Sequence, residues 1–542
     1  MLRKGLSMTI WTKRSYLSSH VQAGILVAGS LACTAAIGHT PGTQVRDAAT
    51  PDIATPTADT CPKLTGMKVE FGTVEGAEKF GAGDVIKGGE TAGATATAAM
   101  CRVRVRLKPT SGSNIQVEVW LPDAWNGKLY GLGGAGFDGG LSLGGTPLLN
   151  KAIGQGYAAV ETDVGHKPAA GLEPWVHKQP EKVVDFGHRG NHLAAVAAKQ
   201  VIAGYYGTAP KHAYFLGCSN GGRDALMEAS RYPEDYDGVI AGAPARRYLE
   251  VLTQLIWYHQ AVHGPGGAPG LGAKQSLVHD AIMKKCDALD GVKDGILENP
   301  QACRFNPAEL QCRGDDAQSC LTSAEVAAFR KIYDGPRLSN GQQVSGGPAL
   351  GSEGVPGNWS AWVTTPQTAV FGQEFYRWMV FDDPAWEMEN FDLDRDYPAA
   401  RERIAPILNA ESSDLSAFAR RGGKLIMYQG WNDPIISPDE TIKYFEAVRR
   451  HIGPTADDQV RLFMVPGMMH CAGGPGATSF DMQPELEKWV ERGESPDRVI
   501  AVKPDAGDVP FSRPLCPWPK TAHYKGSGST QDASNFACVS PR

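Results

Sequence analysis

Hydrophobic and polar residues alternate along two early stretches, Arg102-Val103-Arg104-Val105-Arg106-Leu107 and Ile115-Gln116-Val117-Glu118-Val119-Trp120-Leu121. A period of two sends successive side chains to opposite faces, so both stretches read as antiparallel strands with one face buried. Shorter apolar runs at 128–132, 156–162, 211–216, 424–430 and 460–465 read as further strands, each closed by glycine or a polar turn. Between the third and fourth of these the pattern breaks. A helical run at 223–232 follows the third strand, and 250–413 then interrupts the alternation of strand and helix.

The chemistry-bearing residues stand where these strands end. Strand 211–216 runs into Gly217-Cys218-Ser219-Asn220-Gly221-Gly222 and then directly into the helix. Gly-x-Ser-x-Gly between a strand and a helix is the nucleophile elbow of an α/β-hydrolase, with Ser219 the candidate nucleophile. Glycines flank that serine because the turn is tight and the two backbones nearly touch. Strand 424–430 ends in Trp431-Asn432-Asp433, and strand 460–465 leads to Met468-Met469-His470-Cys471. Ser219, Asp433 and His470 therefore follow the Ser…Asp…His order of that fold, each after a strand. The glycine-rich stretch 133–140 lacks the Lys-Ser/Thr of a phosphate loop and the later acid of a dinucleotide site. It fits one half of an oxyanion hole, the Asn220 N–H supplying the other half. Asp163, His166 and His188 read as structural or rim residues, because the triad already has its histidine.

Charge and composition narrow the class. The chain has 53 basic and 59 acidic side chains among 542 residues, scattered without a basic stripe, which argues against a nucleic-acid partner. Arg3, Lys4, Lys13 and Arg14 precede an apolar segment at 21–33 and then Thr34-Ala35-Ala36. This pattern predicts a secretory signal over 1–36, too short to span a membrane, with cleavage near Ala36. Cys33 also admits lipidation. Residues 37–60, rich in Thr, Pro and Ala, read as a disordered leader. Eleven cysteines less Cys33 leave ten, an even number in a chain bound for an oxidising compartment, either extracellular or periplasmic. The assignment is 61–249 and 414–542 as the two parts of an α/β-hydrolase core, with 250–413 a lid. Within the lid, Cys286-Asp287-Ala288-Leu289-Asp290-Gly291-Val292-Lys293-Asp294-Gly295-Ile296 gathers three carboxylates and two turn glycines. Such oxygen donors suit Ca²⁺, with the carbonyls of Val292 and Ile296 completing the shell; the alternative is a solvated acidic turn. Trp359, Trp362, Phe371, Phe375, Tyr376, Trp378 and Trp386 make the later lid aromatic. Most should be core, and some should line a pocket for a flat acyl group.

Cys218 directly before the serine and Cys471 directly after the histidine are either two buried thiols or one bond tying nucleophile to base. The second case would fix a histidine that otherwise rides on a flexible glycine-rich segment, 467–476. This Cys-Ser, Asp, His-Cys pattern resembles the tannase and feruloyl esterase family, from about Cys61 onward. That family also contains hydrolases of aromatic polyester monoesters. The resemblance implies a serine carboxylic ester hydrolase acting on a small aromatic ester, with Ser219, Asp433 and His470 as triad and Gly136 as the second oxyanion donor. It implies the disulfides Cys61–Cys101, Cys218–Cys471, Cys286–Cys303, Cys312–Cys320 and Cys516–Cys538. It implies a lid Ca²⁺ at Asp287, Asp290 and Asp294 and no organic cofactor. Esters of phenolic acids are the favoured substrates, and the terephthalate monoester is the alternative. The enzyme for that monoester places a lid arginine against the free carboxylate, where this chain has Ala369, leaving Arg377 as a substitute. A calcium-stabilised binding protein that kept the fold and lost the chemistry is the competing class.

Overall fold

Ten strands make one twisted sheet in a computed structural model that describes residues 60–137, 139–141, 145–167, 172–314, 318–503 and 511–540. The expected signal segment and nearly all of the leader lie outside these residues. The strands are β1 (Lys68–Val69), β2 (Gly72–Phe80), β3 (Met100–Leu107), β4 (Ile115–Pro122), β5 (Lys128–Leu132), β6 (Ala158–Thr162), β7 (His212–Cys218), β8 (Gly238–Gly242), β9 (Lys424–Gly430) and β10 (Val460–Val465). Their order is β1-β2-β3-β4-β6-β5-β7-β8-β9-β10. β1 to β4 pair antiparallel, β4 meets β6 antiparallel, and every pair from β6 to β10 is parallel. The sheet thus places the carboxyl ends of β7, β9 and β10 along one edge, where ligands collect in open parallel sheets.

Helices cover both faces because the parallel strands are apolar on both. Gly190–Tyr206, Asn220–Arg231 and Pro438–Ile452 bury one face. Gly145–Gly154 and Gln483–Arg492 bury the other. The alternation in β3 and β4 predicts a solvated outer face, and this is corrected: Arg102 is 1% exposed and Glu118 3%. The segment between β2 and β3 folds over that face. Arg102 pairs with Glu118 and donates to the Lys87 carbonyl (3.0 Å), while Thr91 and Trp120 each donate to Glu118 (2.9 Å). A buried ion pair satisfied by these donors reads in sequence like any surface pair.

The lid enters after β8 through helix Tyr248–Val262 and has its own core, including Phe329, Trp359, Phe375 and Tyr376. That core also takes in Trp175, Val183 and Phe186 from the segment after β6, and Ile435 and Ile436 from beyond β9. Two hairpins finish the chain, β11 (Val499–Lys503) with β12 (Phe511–Leu515) and β13 (Thr521–Tyr524) with β14 (Phe536–Val539). Ala522 and Phe536 of the second pack on Val292 of the acidic lid loop. All five cysteine pairs implied by the resemblance are bonded.

Candidate active site

Ser219 sits at φ 63°, ψ −121°, between the end of β7 and the first residue of helix Asn220–Arg231. For a residue with a Cβ this is a sparsely populated conformation, held only because the surroundings over-determine it. A Cβ on Gly217 would overlap the Gly221 carbonyl, and one on Gly221 would lie 2.7 Å from the Gly134 oxygen. The Ser219 N–H donates to Gly242 O (3.0 Å), and its carbonyl accepts from Ala245 (2.9 Å) and Arg223 (3.1 Å).

The hydroxyl meets the two residues expected to accompany it. Ser219 Oγ lies 2.8 Å from His470 Nε2, and His470 Nδ1 lies 2.8 Å from Asp433 Oδ2. Asp433 is fully buried. Its Oδ1 accepts the N–H groups of Ile435 and Ile436, both at 2.9 Å, and its Oδ2 also accepts Gln429 Nε2 at 3.0 Å. A carboxylate accepting four bonds is an ionised acceptor, which leaves the proton on His470 Nδ1 and the Nε2 lone pair facing the serine. Cys218, directly before the serine, and Cys471, directly after the histidine, are bonded to each other.

The glycine-rich loop after β5 lies against the elbow. Gly133 donates to Leu216 O (3.0 Å), Gly134 donates to Asp224 Oδ2 (3.3 Å), and a Cβ on Gly133 would stand 2.7 Å from the Gly221 Cα. Gly136 is at φ 56°, and its carbonyl accepts the Tyr248 hydroxyl at 2.8 Å. The N–H of Asn220, first in its helix, has no partner within that helix. Asn220 Oδ1 is taken by Arg223 Nε (2.7 Å). Below this loop His166 stacks on Trp175 with centroids 3.6 Å apart and meets Phe137 O at 2.8 Å; burial lowers its pKa to about 4. Asp163 accepts the N–H groups of Gln116 and Gly165 (2.8 Å each), and burial raises it to about 7. His188 Nδ1 lies 2.6 Å from the Tyr232 hydroxyl, and burial lowers its pKa to about 4. All three lie outside the hydrogen-bond chain of Ser219.

Arg223 is absent from the sequence expectations and is fully buried behind the elbow. It donates to Asn220 Oδ1, Gly187 O (2.6 Å), Leu408 O (3.2 Å), Phe186 O (3.1 Å) and Asp224 Oδ1 (2.8 Å). Five donors in a fixed fork bind together the elbow, the segment before helix Gly190–Tyr206 and the lid's return. The adjacent charges Arg223-Asp224, inside a helix that must pack on the sheet, are the signal that could have found it. Gln429, a lone amide in an apolar strand, is the equivalent signal for the support of Asp433. Among the lid aromatics, Trp359, Phe375, Tyr376 and Trp378 are core. Half-buried Trp362 meets the His470 ring edge-on at 6.4 Å, and half-buried Phe371 stacks on Phe137 at 6.0 Å. Half-buried Trp386 stacks on Tyr376 at 5.6 Å. Ala369 is buried, and Arg377 is held by Trp386 O (2.8 Å), Glu374 (3.2 Å) and Glu387 (2.7 Å).

Asp290, Val292, Asp294 and Ile296 line a small cavity with Glu298 and Arg513. Asp294 Oδ2 pairs with Arg513 at 2.7 Å, Asp290 Oδ1 accepts Val292 N (2.9 Å), and Asp287 Oδ1 accepts Gly295 N (3.0 Å). Burial, backed by Asp294 and Asp287, raises Asp290 to about 6, and burial raises Glu298 to about 8. Among the described residues no group of three or more acidic, histidine or cysteine side chains is placed so that it could hold a metal ion.

Known proteins resemble the chain along most of its length. The family pattern described as "Tannase and feruloyl esterase" matches residues 101–539. An uncharacterized esterase of Xanthomonas campestris pv. campestris is 35% identical over 493 residues, covering 82% of this chain and 85% of the relative. The mono(2-hydroxyethyl) terephthalate hydrolase of Piscinibacter sakaiensis is 33% identical over 523 residues, 83% of this chain and 86% of that protein. The crystal structure of feruloyl esterase B from Aspergillus oryzae superposes with a TM-score of 0.79 at 28% identity, covering 89% of this chain and 99% of that one. With an α/β-hydrolase sheet and an elbow serine backed by histidine and aspartate, the chain belongs to the tannase and feruloyl esterase family and is a carboxylic ester hydrolase.

Proposed function

We propose that the chain is a secreted serine esterase that cleaves esters of phenolic acids. The observation that carries this reading is the continuous chain Ser219 Oγ, His470 Nε2, His470 Nδ1, Asp433 Oδ2, with 2.8 Å at both junctions. Ser219 Oγ attacks the ester carbonyl as its proton passes to His470 Nε2, and Asp433 steadies the imidazolium. The N–H groups of Gly136 and Asn220 receive the oxyanion. Collapse breaks the bond to the alcohol, which leaves with the proton from His470. Water then attacks the acyl-enzyme by the same route, releasing the acid and restoring Ser219.

Half-buried Trp362 beside His470 and half-buried Phe371 on Phe137 offer flat surfaces suited to an aromatic acyl group. A free terephthalate carboxylate would need a cation. Ala369 cannot supply one, and Arg377 is already bound to two glutamates, so the phenolic ester is favoured over the monoester. The acidic loop is assigned a structural Ca²⁺. Its donors are all oxygen, and carboxylates at the cavity outnumber the one guanidinium there among the described residues. Asp287, Asp290 and Asp294 and the carbonyls of Val292 and Ile296 would hold the ion, which would cancel their mutual repulsion. Five disulfides suit an extracellular or periplasmic site, and among the described residues no helix is long and apolar enough to cross a membrane. Parallel assays of methyl ferulate, methyl gallate and the terephthalate monoester test the reading. Preference for the monoester would overturn the substrate class, and a fluorophosphonate that leaves Ser219 unlabelled would overturn the mechanism.

A further inference from the structure

Gly136 is held differently from its neighbours in the loop after β5. A Cβ on Gly133 would stand 2.7 Å from the Gly221 Cα, and one on Gly139 would overlap the Thr162 carbonyl, so backbone fixes both flanks of the loop. A Cβ on Gly136 would meet nothing within 4 Å, and φ is 56° there. A glycine with open space beside it does little to define its own conformation. Two side chains take carbonyls at this point: the Tyr248 hydroxyl donates to Gly136 O, and His166 meets Phe137 O, both at 2.8 Å.

Tyr248, the first residue of helix Tyr248–Val262, is itself firmly placed and is 4% exposed. Its ring meets Phe137 at 5.9 Å, Phe186 at 5.8 Å and Phe375 at 6.1 Å, all edge to face, and the Arg223 guanidinium lies 5.3 Å from its centroid. These four belong to the loop after β5, the segment after β6, the lid core and the elbow helix. Just before Tyr248, the Ala245 N–H donates to Ser219 O at 2.9 Å. One short segment is therefore tied both to the nucleophile and to the glycine-rich loop. A ring packed on four sides keeps its place when only its hydroxyl is removed, so the bond to Gly136 can be tested apart from the packing.

We propose that Tyr248 is a positioning residue for ester cleavage: its hydroxyl, bonded to Gly136 O, holds Gly136 where its N–H reaches the oxyanion formed at Ser219. The proposal rests on the reading of Gly136 as an oxyanion donor. Such donors work by being preorganised, and a small displacement costs rate without costing substrate affinity.

The test is Tyr248→Phe in the full chain, with methyl ferulate as substrate and two competitors. One is the trifluoromethyl ketone analogue of the ester, to which Ser219 Oγ adds, passing its proton to His470 and leaving a charged oxygen at the carbonyl position. The other is the corresponding alcohol, with CH₂OH in place of the ester, which forms no oxyanion. We expect kcat to fall about tenfold or more and KM to stay within about twofold, the split of an interaction made only in the transition state. Ketone binding should weaken by the same factor as kcat, and alcohol binding should not change. Para-aminophenylalanine in place of Tyr248, which keeps a donor at the ring's para position, should recover most of the loss. A merely structural side chain would lower the thermal midpoint and leave kcat of the folded protein as it was. That result, or equal weakening of ketone and alcohol, overturns the proposal. Should Tyr248→Phe fail to fold, para-methylphenylalanine, which restores the bulk without the donor, takes its place in the same comparison. In the parent, a ketone that binds no tighter than the alcohol overturns the oxyanion reading and this proposal with it. A tight ketone that the variant leaves unchanged overturns the proposal alone.

Discussion

Ser219 and His470 must meet at 2.8 Å, yet the chain fixes them by different means. The serine stands between a strand and a helix that are both part of the sheet's packing. Backbone lies on backbone at Gly217, Gly221 and Gly133, and Arg223 closes the rear. The histidine stands in the loop between β10 and helix Gln483–Arg492, with no regular element of its own. In the sequence 467–476 reads as a flexible glycine-rich segment; in the structure a Cβ on Gly474 would overlap the Gly467 carbonyl, and one on Gly476 would overlap that of Pro466. Met469 donates to Gly473 O (3.1 Å). The loop also packs on the end of β9, where Asn432 donates to Met468 O (2.9 Å), and its covalent tie to the elbow is Cys218–Cys471. A group can therefore be placed by a cross-link and an irregular loop as well as by secondary structure.

The largest expected effect comes from the elbow, where chemistry and scaffold separate cleanly. Ser219→Ala should lower turnover by more than about a thousandfold with the thermal midpoint nearly unchanged, since the hydroxyl adds little packing. Residual turnover above that level, measured on methyl ferulate, would identify the wrong nucleophile. The histidine side should behave differently. Replacing Cys218 and Cys471 together by Ser should lower turnover on the order of a hundredfold, as placement errors of about 1 Å do, and remove roughly 2–5 kcal/mol of stability. The measurement is turnover at a temperature where circular dichroism shows the variant folded. Unchanged turnover there would make the bond a staple and end the contrast between the two loops.

The triad was legible in the sequence because each member follows a strand whose apolar run is unmistakable: 424–430 is observed as Lys424–Gly430, and 211–216 as His212–Cys218. The elbow glycines were legible for the same reason, since their spacing is set by contact between one strand and the next helix. Arg223 was not, because its partners Gly187, Phe186 and Leu408 are carbonyls far away in the chain, and a carbonyl leaves no mark in sequence. Arg102 and Glu118 read as part of a solvated strand face because what buries them is an irregular loop. The edge strands β1 and β2 and the closing hairpins were also not read, their short runs carrying little periodicity of their own.

Calcium removal should produce a smaller effect on turnover and bears on the same contrast. The acidic loop reaches the roots of the histidine loop: Pro466 and Ala477 line its cavity, and a Cβ on Gly467 would stand 3.4 Å from Ile296. Chelation should lower the thermal midpoint by a few degrees, the scale expected from losing about 2.7 kcal/mol of ligand linkage in a chain of this size. Turnover below the transition should fall by less than in the double cysteine variant. An unchanged midpoint, with no metal found by elemental analysis, would remove the ion. A turnover loss larger than that of the cysteine variant would make the calcium loop, and not the disulfide, the main support of His470.

The smallest effect on turnover is expected beneath the elbow's partner loop, at His166. Burial lowers its pKa from 6.5 to about 4, and its ring holds the Phe137 carbonyl at 2.8 Å. The folded protein thus refuses a proton that the unfolded chain accepts below about 6.5. Stability from keeping this ring neutral is complete above that pH, falls as pH drops toward 4, and falls no further below it. Asp163 acts in the opposite sense, since burial raises its pKa to about 7 and the folded state keeps a proton that the unfolded chain releases above about 4. The two partly cancel in the parent protein, so its own midpoint is a poor reporter. His166→Gln, whose amide can still donate to Phe137, removes one side of the balance. Between pH 4 and 6.5 the variant's midpoint should rise less with pH than the parent's, or decline, while turnover at pH 7 stays within about twofold. Parallel midpoint-against-pH curves for the two proteins would mean that His166 is not held neutral, and that the loop bearing Gly136 rests on contacts other than this ring.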